Sequence, residues 1–164
     1  MSWTTRNAAR LLLTVLPFAA VTTLSSPRAF AQSDDQARKL QGTWFTQVTA
    51  RSCTTGAAVR TFVALNTFGA GGTLIDTTTA VSPAVRTPGH GIWEHTGGHT
   101  FRAVSLAFLF STAGAWTGTQ RITQTIEMND GPDGFNSTAS SEVFDTAGTQ
   151  TASTCATAIG QRVE

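Results

Sequence analysis

Tyrosine is missing from this 164-residue chain, and lysine occurs once, at Lys39. Phenol-based acid chemistry and a Schiff-base lysine set in a pocket are therefore excluded. Charge is thin as well. A formal net charge of +1 leaves no polybasic surface, so nucleic acid is a poor partner for this chain. The two cysteines, Cys53 and Cys155, stand far apart with no Cys-x-x-Cys neighbour, which argues against free thiols serving catalysis or metal. No Gly-x-Ser-x-Gly elbow, no phosphate-cradling loop and no Cys–His nucleophile pair occurs. Past the first thirty or so residues there is also no apolar run long enough to span a membrane as a helix, which needs roughly 20 residues.

What is present begins with an export signal over residues 1–31. Arg6 and Arg10 form a basic start, Leu11 to Leu24 an apolar stretch broken by Pro17, and Ala29-Phe30-Ala31 a small-x-small cleavage site. Cleavage after Ala31 sends the remainder out as a secreted or periplasmic protein of one ordinary domain. No stable membrane anchor remains, and no cysteine follows the signal closely enough for lipidation. The loss of Arg6, Arg10 and Arg28 turns a small positive excess into a small negative one. In an exported chain, Cys53 and Cys155 read as one disulfide closing a loop of about 100 residues, worth up to ~4.7 kcal/mol in the chain-entropy model.

Residues 32–41 are polar and charged, a flexible leader or a single helical turn. The domain proper, residues 42–164, changes grammar. Short runs rich in Thr, Val, Ile, Phe and Trp alternate with glycine-bearing turns, the mark of consecutive hairpins. Eight strands are expected, near residues 42–51, 59–68, 72–79, 91–96, 99–110, 116–129, 134–144 and 149–162. Trp44, Thr46, Val48 and Ala50 share one face of the first, with Phe45 opposite. Ile122, Ile126 and Met128 alternate with Arg121, Thr123, Thr125 and Glu127. The run 99–110 is apolar on both faces, which predicts cover from both sides or an exposed contact surface. One connection is longer, residues 80–90, with Pro83 and Pro88. It is either a stiff connector or a ligand-facing loop. With no amphipathic helix between strands, the expected fold is all-β: an eight-stranded antiparallel up-and-down barrel with one disulfide, a Greek-key sandwich being second.

Gly42-Thr43-Trp44 on the first strand and Arg162 on the last resemble the signature of the calycins, the lipocalin and avidin barrels. That resemblance implies that Trp44 stacks under the Arg162 guanidinium and closes one end of the barrel. The whole domain is also similar to small exported bacterial lipocalin-like proteins of unassigned activity, through Cys53-Thr54-Thr55-Gly56, Leu65-Asn66-Thr67-Phe68, Gly89-His90-Gly91-Ile92-Trp93, Glu142-Val143-Phe144-Asp145 and Cys155-Ala156-Thr157. Unlike lipocalins, the chain shows no C-terminal helix and no second disulfide. Cyclase barrels of the allene oxide cyclase and dirigent type share the outline and keep an enzymatic alternative open.

The candidate chemistry is sparse. His90, His95 and His99 are all the histidines of the chain, and with Glu94 they form its densest polar cluster. The cluster reads as a metal site, as exposed hairpin histidines or as an acid/base pair at the barrel mouth, but its spacing fits no established metal motif. Glu127 and Glu142 lie on neighbouring strands, yet the alternation around Glu127 puts it outside. The interior is therefore the expected site. Phe62, Ala64, Phe68, Trp93, Phe101, Ala103, Ser105 and Trp116 are the inward candidates, compatible with a pocket for one small apolar molecule or with a filled core. No cofactor is implied. The expected function is non-enzymatic binding of that ligand. The alternatives are a cofactor-free cyclase or isomerase and a structural protein that oligomerises through the run 99–110, its oligomeric state open.

Overall fold

The computed structural model describes Asp35, residues 38–131 and residues 133–164. The expected signal, residues 1–31, lies outside the described residues. Eight strands form, at β1 (Gly42–Arg51), β2 (Ala58–Gly69), β3 (Thr73–Thr78), β4 (Gly89–Gly97), β5 (Thr100–Phe110), β6 (Trp116–Met128), β7 (Gly134–Phe144) and β8 (Gln150–Arg162). They pair antiparallel in chain order, and β8 returns to β1 to close the barrel. Strong alternation and well-marked turns leave the sheet no better way to lose its edges than closure. The Cys53–Cys155 disulfide ties the turn after β1 to β8.

Period-two alternation sends one face of every strand inward. Toward the end where β1 begins, the inward side chains are large. Trp44, Phe68, Leu74, Trp93, Phe101, Ile126, Met128 and Phe135 pack with Leu40 into one apolar cluster. Its rings meet edge-on or tilted, Trp44 to Phe135 at 5.0 Å and Trp93 to Phe101 at 5.9 Å between centroids, the arrangement that aromatic quadrupoles prefer. This end of the barrel is solid.

The same end is sealed by the segment expected to be a flexible leader. Residues 38–40 are helical, and Leu40 is fully buried beneath the barrel. The Trp44 indole N–H donates to the Leu40 carbonyl at 2.8 Å. Arg162 lies with its guanidinium carbon 4.3 Å from the Trp44 ring centroid and donates to the carbonyls of Gln41 and Lys39, each at 2.6 Å. Those bonds pin residues 39–41, which is why the last turn of the leader is fixed. Gly42 is required where it stands: its φ is +124°, and a Cβ there would come within 2.7 Å of Arg162 Nη1.

Toward the other end the inward side chains are small, and the wall has an added piece. β3 is the shortest strand, and the connection after it, residues 79–88, continues the wall beyond it. Thr79 N–H donates to Val63 O, Thr87 N–H to Phe108 O and Phe110 N–H to Val85 O, while Arg86 bridges to Leu109. The proline-bearing connection thus lies between the outer parts of β2 and β5, with Arg86 turned in.

Candidate ligand cavity

The half of the barrel away from the aromatic cluster encloses a cavity of about 280 Å³. Its walls are mostly small and apolar. β1 contributes Val48 and Ala50, β7 Ala139 and Val143, and β8 Ala156 and Ala158; Ile122 and Leu109 complete the apolar side. The space exists because β8 offers Ala and Thr where the aromatic half offers Phe and Trp. Register places Ala158 beside Ser137 and Val48, and Ala156 beside Ala139 and Ala50, so three adjacent strands are thin at once.

One side of the cavity is polar, and most of its groups bond to one another. Arg86 donates from Nη2 to Asp76 Oδ1 at 2.6 Å, and the two side chains are only 4% and 5% exposed. At that depth an unpaired charge would be costly, so the pair is obligatory. Arg86 Nε donates to Gln120 Oε1 at 2.6 Å, and Gln120 Nε2 donates on to Ser141 Oγ at 2.7 Å. Arg86 also donates from Nη1 to Thr87 O at 3.0 Å. Asn66 donates to Thr46 Oγ1 at 3.0 Å beside them. Gly89 is opposite Asp76, and a Cβ there would meet the Asp76 carboxylate. Asp76 Oδ2 and Ser105 Oγ are buried without a hydrogen-bond partner among the described residues.

Arg60 occupies the outer rim. It lines the cavity but is exposed, lies 5.5 Å above the Phe62 ring and donates to Ala80 O at 3.1 Å on the β3–β4 connection.

The eight interior candidates divide. Phe62 and Ala64 line the cavity. Phe68, Trp93, Phe101 and Ala103 belong to the packed half instead, because the large side chains of neighbouring strands coincide there in register. Ser105 is buried but is not among the lining residues. Trp116 does not face the interior. A bulge leaves Thr117 unpaired between Gly118, opposite Leu109, and Trp116, opposite Phe110, and so turns the indole outward, 49% exposed.

The histidine cluster does not assemble. His90 is exposed on β4 and His99 in the β4–β5 hairpin. His95 packs 5.0 Å from Phe101 and its Nε2 lies 2.9 Å from Gly98 O. Glu94 is exposed and 3.7 Å from Arg102. None of these side chains lines the cavity, and no group of three His, Cys, Asp or Glu among the described residues is placed to hold a metal. Glu142 pairs outside with Arg121 at 2.7 Å, while Glu127 sits opposite Asn136, so the two carboxylates do not face each other.

Sequence reasoning missed Asp76, Arg86, Gln120 and Asn66 as cavity residues. The signal for Asp76 is its alternation with Leu74, which puts a carboxylate on the inward face of a strand. For Gln120 it is the alternation with Ile122. Arg86 sits on an irregular connection, where no periodicity reports side-chain direction. No protein-family model matches the chain, and no curated protein sequence matches it.

Proposed function

We propose that this chain is an exported calycin-like barrel that binds one small, mainly apolar molecule in its thin-walled half. A single observation carries the reading: the interior is solid on one side of the barrel and holds a cavity of about 280 Å³ on the other. That volume lies near the lower end of small-molecule pockets, which run to roughly 300–1,000 Å³, and so suits a small ligand. The apolar walls supply the driving force, and the Asp76–Arg86–Gln120 network holds the β3–β4 connection in place as part of the binding wall. The seal of Leu40, Trp44 and Arg162 supports the calycin likeness, and the disulfide suits an exported protein.

Calorimetric titration of the folded protein with short apolar molecules such as 1-octanol tests the reading. Binding is expected, and Ala139→Phe, which fills the cavity from β7, is expected to abolish it. Absence of binding by every such molecule to a folded protein overturns the proposal.

A second reading is supported by the outer face of β5. Leu106 and Phe108 are 53% and 57% exposed there, and Ile75 of β3 and Ile92 of β4 are exposed on the same outer face, with His90 opposite Leu106. The occupant proposed for that face is a second copy of the chain. Sedimentation as a strict monomer at high concentration sinks this version. The cyclase alternative gains nothing from the cavity, since Glu94, His95 and His99 all lie away from it.

A further inference from the structure

We propose that the ligand is an organic anion, a carboxylate with an apolar body, whose carboxylate is held by Arg60 at the mouth while its tail lies between Val48 and Ala139. The inference rests on the cavity being a binding site and adds the charge and the orientation of its occupant.

The charge census of the cavity carries it. Among the described residues, three charged side chains line the space: Asp76, Arg86 and Arg60. Asp76 and Arg86 neutralise each other at 2.6 Å, and both are buried. Arg86 is engaged through Nε, Nη1 and Nη2. That pair therefore brings no net charge and holds the wall rather than the ligand. Arg60 is left. No carboxylate pairs with it among the described residues, and its single hydrogen bond within the protein goes to Ala80 O through Nη1. The cavity thus carries an excess of one positive charge, placed at its rim.

Geometry decides the orientation. Arg60 and Asn66 are both inward on β2, and Asn66 is opposite Asp76. Arg60 and Asn66 stand six residues apart on β2, a backbone separation of about 20 Å at the rise of a strand. An anionic head at Arg60 is therefore far from the Asp76 carboxylate, which Arg86 masks in any case. The Phe62 ring beneath the guanidinium occupies one flat face and leaves its N–H edge available for a carboxylate, which a guanidinium takes in a two-pronged grip. Between rim and floor the walls are Val48, Ala50, Ala139 and Ala156, suited to a hydrocarbon. A cationic ligand would meet repulsion at the rim. A neutral one would fill the cavity and leave Arg60 unanswered.

The test compares octanoate, 1-octanol and octylammonium by calorimetric titration against the wild-type protein, Arg60→Gln and Arg60→Lys. Octanoate is expected to bind roughly tenfold more tightly than 1-octanol, the gain of one solvent-screened charge-assisted contact. Octylammonium is expected to bind more weakly than either. The octanoate advantage over 1-octanol, read as the ratio of the two affinities in each protein, should shrink as salt is raised, vanish in Arg60→Gln and persist in part in Arg60→Lys. Arg60 is exposed, so these variants fold. Equal binding of octanoate and 1-octanol, or an octanoate advantage that survives in Arg60→Gln, overturns the anion proposal and leaves the cavity reading standing. Failure of all three molecules to bind overturns both.

Discussion

Arg86 and Asp76 meet at 2.6 Å inside the barrel, although one comes from an irregular connection and the other from a strand. The contact joins the β3–β4 connection to the interior and makes that connection a wall of the cavity. Removing either partner leaves a buried charge without a counterion. Arg86→Met and Asp76→Asn are each expected to cost about 3–5 kcal/mol, and the double variant is expected to recover much of that loss. Urea denaturation of the four proteins, with the disulfide intact, checks the cycle. Strictly additive losses would show that the pair is not coupled.

Gly89 extends the same point to the backbone. A methyl group there would meet the Asp76 carboxylate. Gly89→Ala is therefore expected to destabilise the protein by about 1–3 kcal/mol, as overpacking does. The cost should largely disappear in an Asp76→Ala, Arg86→Met background. An undiminished cost in that background would place the strain elsewhere.

At the sealed end, Arg162 is expected to matter through geometry rather than charge alone. Arg162→Lys keeps the charge but cannot stack on Trp44 while bonding the carbonyls of Lys39 and Gln41. A loss of about 2 kcal/mol is expected for both Arg162→Lys and Arg162→Ala. Exchange of the Trp44 indole proton, now held by Leu40 O, should accelerate in both when followed by NMR. Unchanged exchange would mean that Leu40 and Trp44 seal the end unaided.

The disulfide spans a sequence separation of 102 residues. Replacing Cys53 and Cys155 by serine is expected to lower stability by as much as ~4.7 kcal/mol while leaving the barrel closed at the Arg162 end. Hydrogen exchange should then rise first at the amides of 155–157, where β8 meets the outer part of β1. Uniform acceleration along the whole of β8 would contradict this local opening.

Much of the architecture was legible because the chain states it twice, once in its turns and once in its alternation. Each of the eight expected strands lies within about two residues of an observed one, since glycine-bearing turns and period-two runs mark the same boundaries. The one disulfide was readable from two cysteines with no alternative partner. The division of the interior was not readable. It depends on which large residues coincide across strands, and Phe68, Trp93 and Phe101 fell on the filled side while Ala158, Ala156 and Ala139 left the other side thin. Trp116 was lost to a single unpaired residue, Thr117, which reverses the side of everything beyond it. Arg86 carried no strand period to reveal its inward turn.

The junction of β1 with β8 has a kinetic consequence. Every other neighbouring pair is joined by a connection of modest length, so seven of the eight pairings form between chain segments close in sequence. Only the eighth brings together residues as far apart as Trp44 and Arg162, and it bears the loop-closure entropy of nearly the whole domain. Its two fastenings lie at opposite ends, the disulfide near the mouth and the guanidinium at the floor. An oxidised chain that is unfolded and released starts with that long loop already drawn in, so stopped-flow refolding is expected to be faster for it than for its reduced counterpart.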